Sequence, residues 1–188
     1  MPLTTGRYAL GPADGDLLIR TGREGPAALM GHDLTLVAKR WSATVEVDAE
    51  EPSRSRVKAT VDAASLTVRE ASGGPVGLTE SQRAEIEDNV RSKVLLSDRF
   101  PRITFSSIAV ETTGRRTSVS GNLTILRRTR PAVLALRVAR SRVPRIVATT
   151  SVTQTDFGIE PYSALLGALR VKDVVEVSIE VRLRPGPG

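Results

Sequence analysis

The segment Val175–Leu183 sets the strongest limit on what this chain can fold into. Val175, Val177, Ile179, Val181 and Leu183 alternate with Glu176, Ser178, Glu180 and Arg182. Successive side chains of a β-strand point to opposite faces, so this segment has one dry face and one wet face. An antiparallel sheet packed on a single core has that pattern. It recurs at Trp41, Ala43, Val45 and Val47, interleaved with Ser42, Thr44, Glu46 and Asp48. Just upstream, Leu34, Leu36 and Ala38 carry the opposite parity, and Leu66 and Val68 oppose Val57, Ala59 and Val61 in the same way. A parity switch inside one long strand needs a bulge or a bend. Long bent strands suit a barrel better than a flat sheet.

Further alternating sets are Ile103 with Phe105, Val119 with Leu123 and Ile125, Leu134 with Leu136 and Val138, and Ile146 with Ala148 and Val152. With Tyr8–Leu10 and Leu17–Ile19, the expected fold is mainly β. It is a single antiparallel barrel of about eight strands. Gly114 and Pro131 are read as connections.

One segment breaks the alternation. Thr79-Glu80-Ser81-Gln82 reads as a capping box, and Ile86, Val90 and Val94 then recur every fourth residue. This predicts one amphipathic helix over about 79–96. A short helical turn is expected near 161–167, opened by Pro161. No linker divides the chain, so residues 1–184 are expected to form one domain, and 185–188 (Pro-Gly-Pro-Gly) a disordered tail.

Aromatic residues make up only 3% of the chain, so the core must be built from Val, Leu, Ile and Ala. The chemical inventory is thin. There is no cysteine and one histidine, His32, which leaves too few ligands for a zinc or iron site. A serine nucleophile would need the Gly-x-Ser-x-Gly elbow or a His–carboxylate pair, and neither is visible. Asp156-Phe157-Gly158 matches a kinase metal triplet in three letters only, and reads as a turn after a strand. No catalytic residue, metal or cofactor is expected.

The net charge is +6, with the arginines spread along the chain. Without aromatic platforms beside them, nucleic acid is not an expected partner. Arg127, Arg128 and Arg130 form one short cluster, read as a turn that could meet an anionic membrane surface. No apolar run approaches the ~18 residues of a membrane span, and no leader pattern opens the chain, so the expectation is a cytoplasmic protein. A homodimer is admitted.

Parity and position give the candidate site. Trp41, Val45, Phe105, Val119, Leu123, Leu134, Leu136, Val177 and Ile179 lie on dry strand faces and are the expected lumen. Met30, His32, Phe100, Phe157 and Tyr162 lie near strand ends or turns and are the expected mouth.

Four stretches then resemble the YceI family of polyisoprenoid-binding, lipocalin-like proteins. They are VDAASLTV (61–68), RFPRITFSS (99–107), VSGNLTILRRTRPAVLALRV (119–138), and TQTDFGI (153–159) followed by LRVKDVVEVSIEVRL (169–183). They stand in family order. Arg127 replaces a family glycine, and Gln154 stands where the family carries arginine. The resemblance implies an extended barrel with the helix over one opening and an apolar lumen that takes an isoprenoid-type chain. The implied role is binding, storage or transport of such a lipid. The residues by themselves leave open a barrel filled by its own side chains, serving as a structural or interaction domain, and, ranked third, an enzyme acting on an apolar substrate in the lumen with His32 as base.

Overall fold

A computed structural model describes residues 4–114, 116–139 and 145–183. The strands are β1 (Gly6–Leu10), β2 (Gly15–Thr21), β3 (Arg23–Glu24), β4 (Asp33–Ala38), β5 (Trp41–Val47), β6 (Arg56–Asp62) and β7 (Leu66–Ser72). After helix α1 (Glu80–Asn89) come β8 (Arg102–Thr113), β9 (Arg116–Ile125), β10 (Arg128–Ala139) and β11 (Arg145–Thr153). Last are β12 (Ser163–Ala164), β13 (Leu169–Val171) and β14 (Val174–Arg182). No helix among the described residues is long and apolar enough to cross a membrane. The expected tail, 185–188, lies outside them.

The main sheet has eleven strands in the order β1-β5-β6-β8-β9-β10-β11-β14-β2-β4-β7, all antiparallel, curled strongly into a half-barrel. The expectation of about eight strands is corrected. The reason lies in the two parity switches. The chain bends at Lys39-Arg40, between β4 and β5, and at a 3-10 turn over Ala63–Ser65, between β6 and β7. Each long alternating segment therefore supplies two strands, one near each end of the sheet. The two corners are bonded to each other. Lys39 N–H donates to Ser65 O at 3.0 Å and Asp62 N–H to Arg40 O at 3.0 Å. Ser65 Oγ, which is buried, accepts from Arg40 N–H at 3.0 Å and donates to Asp62 O at 2.8 Å. Short β12, β13 and β3 form a separate small sheet that the alternation does not reveal.

Pro131 is a second correction. It lies inside β10, opposite Asn122 of β9. On its other side β10 pairs with β11 only from Ala135 to Ala139. Among the described residues the early half of β10 thus has no strand partner on that side, where a missing N–H is tolerated.

The capping box forms: Thr79 Oγ1 accepts from Gln82 N–H, and Gln82 Oε1 accepts from Thr79 N–H. The helix is shorter and less regular than expected. After Asn89 it widens into a π-helical turn over Val90–Val94, closed by Leu95 N–H to Val90 O at 2.9 Å. The expected helical turn near 161–167 is present as a 3-10 turn over Leu165–Gly167, but it follows β12 and is not opened by Pro161. Leu165 and Leu166 both sit in the left-handed region, at φ 53° and 55°.

Candidate ligand-binding site

The concave face of the half-barrel and α1 enclose a cavity of about 560 Å³. That is within the ordinary size of a small-molecule site. Its wall follows directly from strand parity. Val45 and Ala43 of β5, Ala59 and Val61 of β6, and Ile103 and Phe105 of β8 face inward. So do Val119 and Leu123 of β9, Leu134 and Leu136 of β10, and Val177 and Ile179 of β14. Eight of the nine expected lumen residues therefore line one space: Val45, Phe105, Val119, Leu123, Leu134, Leu136, Val177 and Ile179.

Trp41 is the exception. It has the right parity but stands at the corner where the chain bends, buried in the core cluster with Ala38, Ala63, Leu66 and Leu95. It is not part of the cavity wall, and its buried Nε1 has no hydrogen-bond partner among the described residues.

Of the expected mouth, Met30, His32 and Tyr162 border the cavity, and Phe100 and Phe157 do not. Phe157 is buried in the core, at the end of a 3-10 turn over Gln154–Phe157 that Gly158 terminates in the left-handed region. Phe100 carries two guanidinium groups on its ring, Arg99 at 5.4 Å and Arg127 at 5.5 Å. The arginine cluster is also redistributed. The hairpin turn is only Leu126-Arg127, both at positive φ, so Arg128 and Arg130 belong to β10.

The loops around Met30, His32 and Tyr162 are bonded together. Ala27 N–H donates to Ala168 O at 2.9 Å, joining the turn before β4 to the turn before β13. His32 Nε2–H donates to Val76 O at 2.8 Å, which ties in the loop after β7. The Arg23 guanidinium donates to Gly31 O, and Arg23 N–H donates to Asp33 Oδ1 at 3.0 Å. His32 and Arg23 thus act as struts of the rim. Leu29, Met30, Leu165 and Leu166 project from these loops into solvent.

Alternation does not reveal the helix side of the wall. Leu78, Ile86, Val90, Val94 and Leu95 face the cavity, and so do Gln82, Glu85 and Asn89. Their spacing puts all three polar residues on the helix face shared by Ile86. The available signal was the scarcity of apolar residues in α1 itself, where Ile86 stands almost alone.

No curated protein sequence matches the chain. Solved structures do. BcnA of Burkholderia cenocepacia superposes with a TM-score of 0.69 at 16% identity, covering 90% of this chain and 96% of that one. The YceI protein of Campylobacter jejuni gives 0.60 at 16% identity, covering 81% and 85%. A polyisoprenoid binding domain from Saccharophagus degradans gives 0.58 at 12% identity, covering 97% and 100%. At such identities these likenesses speak for the fold. The family model described as the YceI-like domain matches residues 26–183, most of the sequence, and the chain belongs to that family.

Proposed function

We propose that this protein binds a long apolar or amphiphilic chain of the isoprenoid type inside the half-barrel, to store or carry it, and does no chemistry on it. The observation that carries this reading is the cavity itself: one continuous space walled by Val, Leu, Ile and Ala from most strands of the sheet. A self-filled barrel would pack those inward side chains against one another, as protein interiors do. Burying an apolar chain there removes its surface from water at about 25 cal/mol per Å². The belonging to the YceI-like family, and the likeness to a polyisoprenoid binding domain, support the chemical class of the ligand.

Gentle purification followed by organic extraction and mass spectrometry tests the reading. A prenyl-type species near one equivalent is expected. Stripped protein should also bind a neutral fluorescent probe, N-phenyl-1-naphthylamine, and release it when prenyl compounds of increasing length are added. No extracted lipid and no displacement at any length would overturn it, and would leave the family fold without a ligand-binding role.

A further inference from the structure

We propose that Asn89 is a hydrogen-bonding subsite for a neutral polar group of the ligand, a hydroxyl or a carbonyl carried on its apolar chain. The inference rests on the reading of the cavity as a lipid site and narrows the ligand's chemistry. Asn89 closes α1, is 8% exposed, and faces the cavity. Among the described residues its side chain makes no hydrogen bond, and it caps nothing at the start of the π turn that follows.

The Asn89 amide keeps access to the cavity; an apolar chain filling that space would take it out of water, and an amide buried without a partner is unfavourable. The comparison inside the same molecule is informative. Gln154 is also buried and also borders the cavity, but its Nε2 donates to Lys172 O at 2.9 Å. Buried Ser65 is bonded on both sides at the strand corner. Asn89 has no such structural task, and it borders the space a ligand would fill. The helix departs from regular geometry at the next residue. π turns of this kind recur at functional sites.

The surroundings define which group would fit. An amide both donates and accepts, so it pairs with a hydroxyl in either sense, or with a carbonyl through its N–H. A phosphate or carboxylate is disfavoured. Glu85 lies four residues earlier on the same helix face and also borders the cavity. The cationic side chains on the wall, Arg23 and Arg170, stand at the rim, where Arg23 holds Gly31 O and Arg170 pairs with Glu24 at 3.6 Å. The ligand at Asn89 is therefore a prenyl-type alcohol or carbonyl compound, not the anionic ester.

The test uses a matched pair of probes: a prenyl alcohol and the prenyl hydrocarbon of equal length, each competing with N-phenyl-1-naphthylamine. The wild-type protein should prefer the alcohol about tenfold, as one hydrogen bond allows. Asn89→Leu should abolish that preference and keep the wild-type melting temperature, since the amide bonds no other group among the described residues. Asn89→Ala provides the same readout should leucine not fit. Equal binding of the two probes by the wild type would overturn this inference alone. So would a variant that melts lower yet still prefers the alcohol. Binding of neither probe would overturn the lipid-site reading, and the Asn89 subsite with it.

Discussion

The ring of Phe105 lies over Gly121, close enough that a Cβ at Gly121 would fall 2.6 Å from Phe105 Cζ. The same Cβ would also meet the main-chain oxygen of Ser106. Gly121 lies opposite Ser107, where the β8–β9 ladder slips by one residue and leaves Ile108 bulged out and exposed. Glycine lets the two backbones approach at this bulge and gives the ring a floor. Gly121→Ala should therefore destabilise the protein by about 1–3 kcal/mol in urea unfolding. Phe105→Leu in the same chain should recover only part of that loss, because the Ser106 carbonyl cannot swing away. Full recovery would show that the ring alone decides the fit.

How far the fold could be read follows from which constraints are local. Alternation at Val175–Leu183 or Val119–Ile125 is written into single segments, and the half-barrel wall follows from it. The bends at Lys39-Arg40 and Ala63–Ser65 left a trace as parity switches. What those bends do, sending one strand to both ends of the sheet, is a long-range outcome with no local sign. Trp41 shows the same limit: parity gives its face, but the corner decides that it packs into the core and not onto the cavity. Asn89 was invisible because a helix face is defined by what packs on it. A polar residue at that spacing reads as solvent-facing until the sheet is placed opposite.

The free edge of β7 is covered by side chains of α1. Val68 N–H donates to Glu87 Oε1 at 2.8 Å, and Arg83 Nη1 donates to Val68 O at 2.7 Å. Two charged side chains one turn apart thus take the place of a neighbouring strand and block edge pairing. Glu87→Ala or Arg83→Ala should each cost about 1–2 kcal/mol. In Glu87→Ala the Val68 amide should exchange faster with solvent deuterium. Because both groups grip one residue, the double variant should lose less than the sum. Strict additivity would show that the helix is held by the cavity wall alone.

Leu166 stands fully exposed in the left-handed region, at φ 55° and ψ 35°, next to Leu165 at φ 53°. A β-carbon in that region costs roughly 1–2 kcal/mol, which Asn tolerates better than Leu. Leu166→Asn removes no buried contact and should raise stability by up to about 1 kcal/mol, read as a higher melting temperature. A lower melting temperature would mean that the exposed leucine packs on something in solution.

Asp173 gives the pH dependence. The Thr155 hydroxyl donates to Asp173 Oδ2 at 2.6 Å, and Thr155 N–H donates to Oδ1 at 2.9 Å. These bonds favour the charged carboxylate and hold its pKa below the ordinary value, the hydroxyl contributing most. They tie the 3-10 turn at Gln154–Phe157 to the connection between β13 and β14. A carboxyl with a depressed folded-state pKa stabilises the fold above its unfolded pKa of about 3.9, and loses that contribution as pH falls through the folded value. Asp173→Asn should therefore be less stable than wild type at pH 7. The gap should narrow as pH falls below about 4, because only the wild type then loses the carboxylate's share. Thr155→Val should reproduce the neutral-pH loss, since it deletes the stronger of the two bonds. Urea midpoints taken across that range for the three proteins decide the matter. A gap that stays constant down to the acid limit would show that the charge of Asp173 contributes nothing to the bond.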